Sequence, residues 1–339
     1  MRCNNQTSEN FKEDKKVIKD ELIYSIDDET YSAHIIDYQS STIDVFIPRS
    51  IEYNNHEYIV TSINKNSFEF SFRLKSIQFP LDSELRKIET NSFYNSTLER
   101  ITIPSSVCEL QYGWCHGAVQ LKKVNLMPNN KMFMHIDNKI IIGKKDIKSK
   151  EYDTLLYIQP NIKRIVIPSF IKEISPYVFS STEIESISIP PQITKICKFA
   201  FSNCRKLQFV EFLGNSKLEI IEEFAFAHSK IKNICFPSSV LQICESSFTN
   251  CEYLTKIDFH RDSKIQIIEK NAFSWCTLFC ICIPKSITKI GEEAFIINNS
   301  LVLVEFDENS NIQSIDKNIF NYSEKANIMI PVKLRDRFF

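Results

Sequence analysis

Apolar positions recur along this chain at a spacing far longer than a helix or strand period. The marker Phe68, Phe93, Phe179, Phe201, Phe226, Phe248, Phe273, Phe295 and Phe320 each have an Ile five residues ahead, from Ile63 to Ile315. Trp114 fills the slot between Phe93 and Phe179. From Phe179 onward the steps alternate between 22 and 25 residues, so the larger unit is 47. Self-similarity at periods of 20–50 residues marks a repeat architecture.

The markers are followed by an alternating run that in the shorter units ends in Pro, as in "LERITIP" to Pro104, "IESISIP" to Pro190 and "LFCICIP" to Pro284. Alternation predicts a short strand. Pro ends it, because it lacks an N–H and fixes φ. The 25-residue units carry three extra residues at this turn, as in "EFLGNSKLEII" and "DFHRDSKIQII". One unit is too small to bury its own apolar face, so units must stack and share columns of Ile, Leu and Phe. Roughly eleven coils at about 4.8 Å per parallel strand give a body on the order of 50 Å long. The residue before the marker is small (Ala200, Ala225, Ala272, Ala294, Ser67, Ser92, Ser247), which suits a tight corner.

The expected fold is a leucine-rich-repeat type of solenoid, mostly parallel β, with only short 3₁₀ or helical turns after the Phe. Residues 1–20 are polar and are expected to be a flexible tail. Residues 21–47 read as a hairpin capping the open core, and 48–339 as the array. The interval from Trp114 to Phe179 is 65 residues and holds "MFMHIDNKIIIGKKDIKSKEYDTLLYIQP". Its alternating runs around a polar centre predict an inserted hairpin at about 129–160.

"FPSSVLQICESSFTNCEYLTKIDF" (236–259) and "IPPQITKICKFAFSNCRKLQFVEF" (189–212) carry a family resemblance. The pattern Ile-Pro-x-Ser-Val-x-x-Ile-x-x-x-Ala-Phe-x-x-Cys-x-x-Leu resembles the BspA-like leucine-rich repeats over residues 21–339. The resemblance implies a surface or secreted binding protein, adhesin-like, whose partners are host-cell or matrix proteins. Trp114 departs from the pattern, and Ser, Thr or Asn often replaces its Cys.

Composition narrows the function. A formal net charge of −1 gives no electrostatic case for nucleic acid or an anionic membrane surface. With only 5 Gly there is no phosphate-cradling loop. No apolar run reaches the ~18–20 residues of a membrane span. The first residues hold no secretory signal, so the chain is cytosolic, leaves by another route, or does not start at its native end. An intracellular scaffold is therefore the alternative to the adhesin.

The 11 Cys sit mostly at repeat positions. Cys204, Cys251 and Cys276 follow the marker by three, where other units have Ser71, Ser96, Thr182, Ser229, Asn298 or Ser323. Such a slot suits an inward side chain that hydrogen-bonds backbone. Cys276, Cys280 and Cys282 are the one cluster resembling a metal site, but their spacing lacks Cys-x2-Cys pairs and no His pair accompanies them. The six His are scattered, and no nucleophile has a base beside it. The expectation is no enzyme, no cofactor, no metal and a monomer. Sequons occur at Asn5, Asn95, Asn298 and Asn321.

The candidate site is the outer face of the strands. In Ile-x-Ile-Pro the middle residue points outward, as does the residue two before it. Along these columns lie basic Arg100, Lys123 and Arg164, then acidic Glu211, Asp258 and Glu305 spaced 47 apart. Phe209, Leu303 and Met329 stand near the acids. Apolar anchors among charges suit protein recognition. An ordinary solvated sheet face is the competing reading.

Overall fold

In the computed structural model, which describes residues 15–39, 42–316, 318–323 and 326–332, the alternating runs form strands. Asn233–Phe236, Lys256–Phe259 and Cys280–Ile283 are examples, pairing in parallel from one coil to the next. After the Pro turn, a two-residue strand ending in the repeat Ile pairs the same way, Gln242–Ile243 lying between Ile220–Ile221 and Ile267–Ile268. The chain is a β-solenoid of about 13 turns, not eleven, and its described residues hold no helix. The extra coils lack a Phe marker. Tyr38 stands against Phe68 at 5.2 Å and Tyr157 against Trp114 at 6.1 Å.

The expected helical turns are replaced by single tight turns. Around Phe248, the Ser247 N–H reaches the Cys244 carbonyl and the Cys251 N–H reaches that of Phe248. Ser246 (φ 54°) and Asn250 (φ 56°) flank the ring in the left-handed region, so no helix propagates. The small residue ahead of the marker lends its carbonyl to the coil before: Phe201 N–H to Ala225, Phe248 N–H to Ala272. The rings stack as a continuous column, from Phe179–Phe201 at 4.6 Å to Phe295–Phe320 at 5.6 Å.

Two β walls enclose the core, and each is broken at the same place. The long-strand wall is a 4-stranded sheet from Asp44–Phe46 to Lys123–Leu126, then an 8-stranded sheet from Arg164–Val166 to Asn327–Met329. The short-strand wall breaks between Glu109–Leu110 and Phe133–Ile136. The cause is the segment expected as an inserted hairpin. It holds three antiparallel strands, Phe133–Ile136, Ile140–Gly143 and Thr154–Ile158, the last running parallel to Glu173–Ile174. Ile140–Gly143 is buried throughout. Ile141, Phe133 and Tyr157 pack on the amino-terminal core, while Ile140, Ile142, Leu155 and Ile158 pack on the carboxyl-terminal core. The insert is thus a partition with an apolar core on each side.

At the amino end, Lys15–Lys19, Leu22–Asp27 and Ser32–Tyr38 form an antiparallel meander. The last residues of the expected flexible tail are therefore a paired strand; residues 1–14 lie outside the described residues. Ser32–Tyr38 then pairs in parallel with His56–Ile63. Asp44–Phe46, assigned to the capping hairpin from sequence, belongs instead to the long-strand wall, beside Ser76–Gln78. Its alternating, Pro-terminated run "IDVFIP" is that of the array strands, so the signal for the wall was in the sequence.

Candidate protein-binding face

The slot three residues after the marker is a hydrogen-bond ladder. Cys204 Sγ donates to the Phe179 carbonyl (2.9 Å), Cys251 Sγ to Phe226 (3.2 Å), Cys276 Sγ to Phe248 (3.2 Å) and Asn298 Nδ2 to Phe273 (2.9 Å). Each side chain ties its own turn to the marker of the coil before. Burial pushes the Cys204 thiol up to about 12, so it stays protonated and can donate. Asn298 is 0% exposed with its amide engaged, which closes that sequon to a glycan.

This ladder and the stacked markers hold the long strands in register, and the register assembles both outward columns. Arg164, Ser186, Phe209 and Asn233 are successive partners, as are Cys280, Leu303 and Asn327. Val166, Ser188 and Glu211 align two residues on, and so do Cys282, Glu305 and Met329. Pairing is uneven. Cys235 faces Asp258 within a fully paired couple, but Phe209–Asn233 is the single matched pair between its two strands, as is Lys256–Cys280 between the next two. The extra residues of the long turns follow Phe212 and Phe259, the ends of the strands of Phe209 and Lys256.

The acids, two strands apart and so separated by about 10 Å, are not equivalent. Asp258 is ion-paired with Lys256 at 2.7 Å, a bond that also holds the Lys256 ammonium above its usual range. Among the described residues Glu211 accepts only the Ser188 hydroxyl (2.9 Å), and Glu305 lies 3.8 Å from the Cys282 thiol. Burial, and then the Glu305 charge, raise the Cys282 thiol. Phe209 is exposed and has Lys232 Nζ 5.8 Å from its ring centre, a weak cation–π contact. Met329 is exposed on the last strand, and Leu303 is half-buried.

The basic residues divide. Arg100 pairs with Asp44 (3.3 Å) and adjoins Lys123 across the sheet. Arg164 starts the other sheet, across the break, and is no strand neighbour of Lys123. Sequence reasoning treated them as one stretch because it could not see the walls part at the insert.

Two grooves lie on this face. A shallow one of about 380 Å³ runs between Arg164, Val166, Ser188, Phe209 and Glu211. A larger one, about 1010 Å³, is lined by Asp258, Cys282 and Glu305 together with turn residues His260, Asp262 and Asp307. The strand columns missed these turn residues; the extra length of the 25-residue units was the signal for them. Among the described residues no group of His, Cys, Asp or Glu converges as a metal site, and no helix is long and apolar enough to cross a membrane.

Solved structures share the fold. The pneumococcal vaccine antigen PcpA is 16% identical, covers 93% of this chain and 93% of its own, and superposes with a TM-score of 0.51. A leucine rich cell surface protein from Faecalibacterium prausnitzii is 20% identical over 94% of this chain and 89% of its own, with a TM-score of 0.48. No curated protein matches the chain in sequence. The family model for the BspA type leucine rich repeat region matches residues 43–155, 129–220, 156–251 and 219–337 in 6 copies, and the chain belongs to that family.

Proposed function

We propose that this chain is a non-catalytic protein-binding module, surface-displayed or secreted and adhesin-like, that engages a host or matrix protein through its long strands. One observation carries the reading. Phe209 and Met329 project from a registered sheet that also presents Glu211 and Glu305 without a cation partner among the described residues. Apolar anchors beside uncompensated charge are what a partner with a basic rim would cover. Family membership supports the protein-binding class, and the surface role is inferred from the PcpA and cell-surface likenesses.

The test is protease shaving of intact source cells carrying a tagged copy, followed by binding of purified protein to immobilised collagen, laminin and fibronectin. Cleavage of the tag, with at least tenfold weaker binding by Glu211→Lys/Glu305→Lys, is expected. A tag protected until lysis would refute surface display. The exposed thiols Cys108, Cys235 and Cys282 favour a second reading in that case, a scaffold in a reducing compartment.

A further inference from the structure

The break in the long-strand wall leaves an open strand edge in the middle of the molecule. Among the described residues Arg164–Val166 pairs on one side only, with Ser186–Ile189, and heads its sheet. The Lys163 carbonyl accepts the Glu185 N–H. By the alternation of a parallel ladder, Arg164 and Val166 therefore turn their own N–H and C=O groups toward the break. Side-chain burial agrees with an open edge. Val166 is 87% exposed, above Phe209 (52%) and Met329 (51%) on the same face, and Ile165 is half-buried where Ile187 and Ile257 are 3% and 4% exposed. Solenoids cover such edges at their ends; here one lies between two halves.

A groove of about 610 Å³ lies beside this edge, lined by Lys139, Gln159, Ile162, Lys163, Arg164 and Glu185. On its far side Gln159 Nε2 caps the Lys122 carbonyl at 2.9 Å. The surrounding charge is one-sided. Lys163 is matched by Glu185 (3.5 Å), whereas Lys122, Lys123, Lys139 and Arg164 make no ion pair among the described residues. We propose that this seam receives an extended, carboxylate-rich segment of a partner protein, added as a β-strand to the edge of Arg164–Val166. Main-chain hydrogen bonds would hold the segment, and the unpaired cations would select acidic side chains at alternate positions. The inference rests on the protein-binding reading above and gives it a partner chemistry and a place.

The probe is a fluorescein-labelled octapeptide alternating Glu with Thr and Val, followed by anisotropy at low and physiological salt. Binding that weakens with salt is expected. Lys123→Glu/Arg164→Glu should weaken it at least tenfold. Val166→Pro, which removes an edge N–H without touching charge, should do the same with an unchanged melting temperature. The same peptide N-methylated at every residue, with no donor left on either edge, should not bind. No binding, binding indifferent to both variants, or equal binding of the N-methylated peptide would each overturn strand addition. Glu305→Lys, six strands from Arg164–Val166, should leave the octapeptide unaffected. Loss of matrix-protein binding in that variant, with no octapeptide binding by the wild type, would sink the seam and leave the face reading standing; the reverse would sink the face alone.

Discussion

His116 offers a test of how the two halves are joined. Both β walls break at the partition, but a second ring column crosses it on the turn side. Tyr94 stacks on His116 at 5.2 Å, His116 meets Tyr177 at 4.7 Å, and Tyr177 and Phe199 follow at 4.9 Å. His116 Nε2 also lies 3.0 Å from the Ser180 hydroxyl. Burial between these rings lowers the imidazole from 6.5 to about 4. The unfolded chain takes up a proton near pH 6.5, whereas the folded one resists until about pH 4. Stability is therefore intact above pH 6.5 and falls as pH drops toward 4. At about 1.36 kcal/mol per pH unit the full loss is about 3 kcal/mol, most of it reached by about pH 4.5. The perturbation is His116→Phe, which keeps a ring in the column and removes the titration; Ser180 retains the Ser202 carbonyl as acceptor. A Trp275→Phe background leaves Trp114, 6.1 Å from Tyr157 at the partition, as the one tryptophan. Urea unfolding followed by its fluorescence, at pH 7.5 and pH 4.5, gives the difference between variants while the other groups cancel. His116→Phe should gain about 2–3 kcal/mol on the wild type between the two pH values. Parallel pH dependence of the two proteins would refute the buried neutral imidazole.

Other perturbations probe the repeat itself. Phe273 is fully buried between Phe248 (5.1 Å) and Phe295 (5.4 Å), so Phe273→Ala should cost about 3–5 kcal/mol in denaturant unfolding. Cys251→Ala removes the donor to the Phe226 carbonyl and should cost about 1–3 kcal/mol, while Cys251→Ser, the residue of the preceding slot, should recover most of it by thermal melting. A Cβ on Gly291 would lie 2.6 Å from the Lys270 backbone N, so Gly291→Ala should lower stability by about 1–3 kcal/mol even though its counterparts Cys197 and Cys244 carry side chains.

The repeat, its strand and turn positions and both outward columns were legible in the sequence because stacking identical units makes every contact a local, periodic one. Inward and outward residues follow from alternation alone, and the coil-to-coil partners follow from the spacing. Even the Cys, Ser, Thr and Asn slot was readable, since a position that tolerates those residues in tandem must answer a backbone group that recurs. What broke the period could not be read the same way. "KIIIGK" is a run with no polar face, and such a run announces burial on both sides without saying between what. Only the tertiary structure made it a partition between two cores, parted Arg164 from Lys123, and left the edge of Arg164–Val166 open. Likewise, the acids at a 47-residue spacing look alike in sequence. Whether each finds a cation depends on its immediate neighbour along the same strand and across it. Lys256 satisfies Asp258, while Ser188 and Cys282 leave Glu211 and Glu305 their charge, because periodicity dictates where side chains stand and only packing decides which of them meet.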